Sequence, residues 1–175
     1  MKKVFAFVLT AAVLLSLAAC STAAKTDRAD ETPAAEQTQT DNTQIPNPWA
    51  DYDSLDEAIA AAGFDCTIPD TIGGCSEKAF RVLDADGETM LEVIYADGET
   101  EIARVRKAPG TEDISGDYNA YDAQDVAVGD VTVTMKSADG LVKLAIWQDG
   151  GYTYAVSVEA GCSADAMAEL VSQIG

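Results

Sequence analysis

The chain contains no histidine. Histidine is the usual general base at neutral pH and the commonest protein ligand of transition metals. Its absence excludes Ser-His-Asp and Cys-His catalysis as ordinarily built. The chain also lacks a Ser-x-x-Lys dyad, a Gly-x-Ser-x-Gly elbow and a phosphate-binding Gly-x-x-x-x-Gly-Lys loop. We therefore expect no enzyme, no bound cofactor and no metal site.

Basic residues are scarce, with 11 Lys and Arg against 30 Asp and Glu and a net charge of −19. Nucleic-acid binding depends on clustered cations that displace counterions from phosphates. Here the only compact basic cluster consists of Arg104, Arg106 and Lys107. We therefore expect no nucleic-acid partner. An anionic bilayer surface would also repel the chain, whereas cationic partners would be attracted.

Long apolar runs are absent except at the N-terminus, where Lys2 and Lys3 precede an uncharged stretch from Val4 to Ala19. This layout is typical of a secretory signal peptide. The stretch is short for a permanent membrane span, which needs about 20 apolar residues. Polar residues follow it instead of a positively charged flank. Residues 1–19 are therefore predicted to be a cleaved signal peptide.

The run Leu17-Ala18-Ala19-Cys20 is similar to a bacterial lipobox, in which the cysteine accepts a diacylglycerol and becomes the mature N-terminus. Burial of acyl chains, at about 0.8 kcal/mol per methylene, would hold the protein on the extracytoplasmic side of the cell membrane. Cleavage leaves 9 Lys and Arg against 30 Asp and Glu, a formal charge of −21, so attachment would depend on the lipid. An ordinary signal peptide with a chance cysteine is the alternative, and it would release the protein.

After Cys20, residues 21–48 contain no aromatic residue, and Ile45 is their only sizeable apolar side chain. Such a segment cannot bury enough surface to offset its ordering entropy. Residues 20–48 are therefore predicted to form the lipidated cysteine and a disordered acidic tether. Aromatic and periodic apolar residues begin at Trp49, and residues 49–175 are long enough for one domain.

Two amphipathic helices are expected at the ends of this domain. Ser54-Leu55-Asp56-Glu57 has the form of a capping box, and Gly63 is placed to end the helix. A second helix should start at Ser163 with Asp165 in its first turn. Its apolar face would consist of Met167, Leu170, Val171 and Ile174.

Between the helices, Asp-Gly pairs separate runs rich in β-branched and aromatic residues, which predicts type I′ hairpin turns. The pairs are Asp86-Gly87, Asp97-Gly98, Asp139-Gly140 and Asp149-Gly150, with Gly129-Asp130 as a fifth turn. The expected strands span residues 77–84, 88–96, 99–107, 122–128, 131–137, 141–148 and 151–159. The predicted fold is thus α+β, a roughly seven-stranded antiparallel meander sheet with an N-terminal and a C-terminal helix packed on it.

Three thiols would remain after lipidation, those of Cys66, Cys75 and Cys162. Exported proteins meet oxidising conditions, and Cys66 and Cys75 flank a short loop. A Cys66–Cys75 disulfide and three free cysteines are both compatible with the sequence. A zinc site is less favoured because it would need a fourth ligand.

Arg104 and Arg106 alternate onto one face of the third predicted strand, and a loop with Glu112, Asp113 and Asp117 follows. Ion pairing with nearby carboxylates is one interpretation. The other is a contact with an anionic ligand, because the arginine fork fits oxyanions.

Several segments resemble a family of uncharacterised lipoproteins from Gram-positive, often gut-dwelling, anaerobes, whose domains are similar to extracytoplasmic portions of anti-sigma-type membrane regulators. The resemblance implies envelope sensing or ligand binding and brings no catalytic residues. Cys66 and Cys75 depart from the pattern. The matching segments are Asn47-Pro48-Trp49, the Ser54–Gly63 helix with Phe64, Arg104-Val105-Arg106-Lys107-Ala108-Pro109-Gly110, Glu112-Asp113-Ile114-Ser115-Gly116-Asp117-Tyr118, and Trp147 to Ile174.

We therefore expect a membrane-anchored, non-catalytic binding or sensing module of the cell envelope, with an unknown envelope ligand or protein partner. A carboxylate-dependent hydrolase of envelope glycans is a second hypothesis, which requires two acidic residues at a defined separation in a cleft. A structural subunit of a surface complex is a third, and it requires an exposed apolar patch.

Overall fold

The computed structural model describes residues 47–85 and 87–175. The predicted signal peptide, Cys20 and the tether up to residue 46 lie outside the described residues. Neither helix in the described part of the chain combines the length and the apolarity that a membrane crossing requires.

The domain is built on one antiparallel sheet of eight strands in the order β1-β2-β3-β4-β8-β7-β6-β5. Two four-stranded halves meet where β4 pairs with β8. The strands are β1 Trp49–Tyr52, β2 Lys78–Ala85, β3 Glu88–Asp97, β4 Thr100–Pro109, β5 Asp122–Val128, β6 Val131–Ala138, β7 Leu141–Asp149 and β8 Tyr152–Cys162.

The predicted antiparallel α+β architecture is confirmed, but the predicted count of seven strands is wrong by one. The additional strand is β1, which pairs with β2 through a register that joins Tyr52 to Phe80. It has only four residues, and a helix separates it from its partner strand. Neither a hairpin turn nor a long alternating run therefore marked it in the sequence.

Two-residue turns connect the described hairpins at residues 98–99, 129–130, 139–140 and 150–151, and Asp86 of the first predicted Asp-Gly turn lies outside the described residues. Among the described Asp-Gly pairs, the prediction of a type I′ turn is only partly correct. Asp139 and Gly140 both have positive φ, 52° and 79°, as a type I′ turn requires. Asp139 is the only non-glycine residue with positive φ among those described. Elsewhere Asp97 and Asp149 are the last residues of their strands, so the turns begin at Gly98 and Gly150. Glycine takes the left-handed position because it avoids the Cβ clash that aspartate would suffer.

The first helix, α1, spans Leu55–Ala62 and has a cap at each end. The Ser54 Oγ accepts a hydrogen bond from the Glu57 backbone N–H at 3.3 Å. The Glu57 carboxylate accepts from the backbone N–H of Asp53, one residue before the N-cap. At the other end, the left-handed Gly63 donates its N–H to the Ile59 carbonyl.

The second helix, α2, spans Ala164–Ser172 and begins after the N-cap Ser163. α1 contacts β1 to β3, and α2 contacts β5, β7 and β8. Ala58 of α1 and Met167 and Val171 of α2 belong to one hydrophobic core cluster with residues of the sheet, and we call the sheet face that carries this cluster the core face. This core face includes a fully buried row across the four central strands, which consists of Val93, Val105, Val156 and Ala145. Burial of each valine side chain stabilises the fold by about 1.5–3 kcal/mol.

The chain between β4 and β5, residues 110–121, lies against part of the second face of the sheet, and we call it the crossover segment. The Thr153 hydroxyl of β8 donates to the Gly110 carbonyl at 2.8 Å. The Gln148 amide of β7 donates to the Thr111 carbonyl at 2.9 Å. Lys136 of β6 pairs with Asp113 at 3.0 Å. Side chains of three neighbouring strands thus hold the crossover segment against the sheet.

Candidate functional site

One glutamate and three arginines meet on the second face of the sheet. The strand register places Glu92 of β3 directly between Arg81 of β2 and Arg106 of β4. Arg104 lies two residues before Arg106 and therefore on the same face. Glu92 has no solvent-exposed surface, although it carries a charge. Such a residue needs a charged or hydrogen-bonded partner on each oxygen, because unpaired burial is costly.

The arginines supply these partners. The Glu92 Oε1 accepts hydrogen bonds from Arg81 Nε, at 2.9 Å, and from Arg81 Nη2. The Oε2 accepts from Arg106 Nε at 2.7 Å and lies 2.7 Å from Arg106 Nη2. Arg104 Nη1 lies 3.5 Å from the same oxygen. Glu92 is therefore the shared counter-charge of the three guanidinium groups.

Arg106 also holds the crossover segment. Its Nη1 donates to the carbonyls of Ile114, at 2.9 Å, and Ser115, at 2.7 Å. A Cβ on Gly116 would lie only 2.5 Å from this nitrogen, and Gly116 has a φ of +66°. Only glycine combines that backbone conformation with such a close approach. Arg106 thus connects the buried Glu92 to the turn that follows Ser115 and positions this turn.

Arg104 is paired with carboxylates as well. Its Nε and Nη2 donate to the Glu101 carboxylate at 3.0 and 2.5 Å. Partial burial lowers the pKa of Arg104, but the hydrogen bond to Glu101 and the charges of Glu92, Glu101 and Glu159 raise it above its ordinary value. The structure thus places Arg104 and Arg106 in ion pairs, which is the first interpretation of these residues. Their contact with an anionic ligand stays a prediction.

The turn held by Arg106 ends in a second set of hydrogen bonds around Asp117. The Asp117 Oδ1 accepts from the Asn119 backbone N–H at 2.9 Å, and its Oδ2 accepts from the Tyr121 hydroxyl at 2.7 Å. Slight burial raises the pKa of Asp117, but these bonds and the charge of Lys136 lower it below its usual value. Between the bonded residues, Tyr118 is 98% exposed.

A shallow cavity of about 460 Å³ lies beside Tyr118, between the crossover segment and strands β4 and β8. Its charged lining residues are Glu101 and Arg104 from β4, Glu159 from β8 and Asp117 from the turn. Sequence reasoning named Arg104 and Asp117 but missed Glu101, Tyr118 and Glu159 as neighbours. An aromatic residue within a Ser, Gly, Asp and Asn-rich loop was the one local signal.

The three thiols of the described residues are free, so the Cys66–Cys75 disulfide is absent from the structure. Backbone hydrogen bonds between Ile72 and Cys75, at 3.0 and 3.1 Å, end the loop without a sulfur bridge. The Cys75 thiol instead donates to the Ala96 carbonyl at 3.1 Å. Burial raises the pKa of Cys66 to about 11, although the charge of Lys107 opposes this.

Lys107, the third member of the basic cluster, lies on the opposite, core face of the sheet. Its side chain is buried, and its Nζ donates to the Asp65 carbonyl at 2.7 Å. The same nitrogen lies 4.7 Å from the centre of the Tyr152 ring and 4.9 Å from that of Tyr154. The compact basic cluster of the sequence is therefore divided between the two faces and is not a basic surface.

Within residues 47–85 and 87–175, no group of three or more Cys, Asp or Glu is arranged to hold a metal ion. Comparison of the chain with family models, with curated proteins and with solved structures finds no match.

Proposed function

We propose that the chain is a lipid-anchored lipoprotein of the bacterial cell envelope whose domain binds an envelope component without transforming it. The apolar run from Val4 to Ala19 and the lipobox-like sequence before Cys20 support the export and the anchor. The acidic charge disfavours adsorption of the protein surface to an anionic bilayer, so attachment would depend on the lipid. The resemblance to envelope lipoproteins points the same way.

The exposure of Tyr118 is the observation that carries the binding role. A tyrosine that is 98% exposed contributes nothing to the core, yet the backbone on both sides of it is held by Arg106 and Asp117. Tyrosine offers a large amphipathic contact area with few rotatable bonds. Because the turn that carries Tyr118 is already held in place, less conformational entropy would be lost when a partner binds.

The glycan-hydrolase alternative is less well supported by the same site. A general acid at neutral pH needs a raised pKa, as in a carboxyl that is poorly solvated. The hydrogen bonds to Asp117 lower its pKa instead. A structural subunit would need a broad apolar patch, and the exposed large hydrophobic residues of the described chain are Tyr118 and Leu141. Binding is the function that these observations favour.

Site-specific photocrosslinking in living bacteria tests this proposal. The full chain would carry p-benzoylphenylalanine at position 118, with position 141 as the matched control because Leu141 is the other exposed large hydrophobic residue. We expect adducts in the membrane fraction from position 118 and few from position 141. The Cys20→Ala variant should lose lipid labelling and membrane association. Equal adduct yields at the two positions would contradict the binding role, and retained membrane association of Cys20→Ala would contradict the anchor.

A further inference from the structure

The charge around Tyr118 indicates what kind of partner fits there. Three carboxylates line the adjoining cavity, those of Glu101, Asp117 and Glu159, against one arginine, Arg104. This arginine is already paired with Glu101 at 2.5 Å and with Glu92 at 3.5 Å. The cavity therefore keeps an excess of negative charge next to an exposed aromatic ring.

The wider electrostatic field has the same sign. Residues 49–175 contain 7 Lys and Arg against 25 Asp and Glu. A net field of this kind raises the encounter rate with cationic molecules and lowers it with anionic ones. Both the local and the global charge thus select for a positively charged ligand.

We propose that the Tyr118 surface, which consists of Glu101, Arg104, Asp117, Tyr118, Asn119 and Glu159, binds a basic segment of a partner protein. A lysine or arginine side chain of the partner enters the cavity between Asp117 and Glu159 and lies against the Tyr118 ring. A cation within about 6 Å of an aromatic ring centre is attracted by the ring quadrupole. This inference rests on the proposed binding function and adds the chemistry of the partner.

A neutral glycan is the competing occupant, because sugar rings also stack on exposed tyrosines. Its hydroxyl groups bring no charge to compensate Asp117 and Glu159, whose water shells would be disturbed on binding. A guanidinium or ammonium group compensates them directly through charge-assisted hydrogen bonds. The carboxylates therefore favour the basic segment.

Fluorescence anisotropy with a defined peptide tests the proposal. The lipidated full chain would be placed in phosphatidylcholine nanodiscs, whose zwitterionic surface does not attract the probe. The probe is a labelled peptide of alternating arginine and serine, and peptides with glutamine or glutamate in place of arginine are its charge controls. We expect only the arginine peptide to bind, and more weakly as salt is raised.

Matched variants separate the site from the general field. Tyr118→Ala should weaken binding about two- to fivefold, as expected for an exposed cation–π contact, and Tyr118→Phe should keep most of the affinity. Glu159→Gln should weaken binding to a similar extent. Leu141→Ala and Glu169→Gln remove an exposed apolar side chain and an exposed charge outside the Tyr118 surface, so affinity should stay within about twofold.

Equal effects of all these variants would overturn the proposal, because binding would then reflect net charge alone. Binding of a chito-oligosaccharide that depended on Tyr118, without binding of the arginine peptide, would also overturn it in favour of a glycan. In that case the photocrosslinks from position 118 would persist and the proposed binding function would survive. If both the crosslinks from position 118 and the binding of the arginine peptide were lost, both proposals would be wrong.

Discussion

Replacement of Glu92 by glutamine removes one negative charge from the centre of the sheet with little change in shape. Arg81, Arg104 and Arg106 would then share no counter-charge, although Arg104 keeps Glu101. Removal of one partner from a buried ion pair costs about 3–5 kcal/mol. The side chains of Arg81 and Arg104 are 29% and 28% exposed, so water can solvate part of their charge. We therefore expect the free energy of unfolding to fall by the lower end of this range, about 3 kcal/mol. Most of the loss would come from Arg106, because its side chain is only 12% exposed.

Urea unfolding of the full chain in a Cys20→Ala background measures this loss, with the fluorescence of Trp49 and Trp147 as the signal. For a domain of this size, 3 kcal/mol corresponds to a fall in Tm of about 12 °C. Domains of this kind have total stabilities of about 5–15 kcal/mol, so the variant should still fold. The crossover segment should also become more sensitive to proteolysis, since Arg106 holds its Ile114 and Ser115 carbonyls.

Glu99→Gln is the matched control, because Glu99 lies exposed in the turn between β3 and β4. We expect it to change the free energy of unfolding by less than about 0.5 kcal/mol. If Glu92→Gln and Glu99→Gln had the same small effect, Glu92 would not be the counter-charge of the three arginines. The Tyr118 turn would then not depend on the Glu92 ion pairs either.

Three further predictions concern other groups. Lys107→Met should leave the free energy of unfolding unchanged or raise it, because methionine fills the space next to Tyr152 and Tyr154 without a buried charge. A loss above about 2 kcal/mol in urea unfolding would contradict this expectation. In the folded chain at pH 8, Cys66 should be alkylated much more slowly than free cysteine, because burial raises its pKa to about 11, and in urea it should be alkylated rapidly. Fast modification of the folded chain, or a Cys66 thiol that appears only after reduction, would refute this. The pKa of the Asp117 carboxylate is lowered from 3.8, so this group should contribute stability that is present above the unfolded pKa and is lost as pH falls below 3.8. The urea midpoint of Asp117→Asn should therefore vary less between pH 6 and pH 3 than the midpoint of the parent.

Local chemistry in the chain accounts for most of the secondary structure. Ser54 and Gly63 are the caps of α1, and Asp139-Gly140 forms a two-residue turn with positive φ at both positions. Such features depend on a few neighbouring residues, so they can be read without the fold. The same locality explains the missed strand β1, whose four residues become a strand only through their pairing with β2.

The candidate site, in contrast, arises from contacts between residues far apart in the sequence. The pairing of β4 with β8 brings Arg104 and Glu159 to one cavity, and the crossover segment adds Tyr118 above them. No periodicity marks Glu92 as the buried partner of three arginines, since alternation along β3 shows only which side chains share a face. The acidity and the hairpins could be predicted from the sequence because each is a property of composition or of adjacent positions, whereas export and the lipid anchor stay predictions. The position of the crossover segment on the second face and the exposure of Tyr118 depend on how the two halves of the sheet join. This join requires long-range pairing and therefore the tertiary structure.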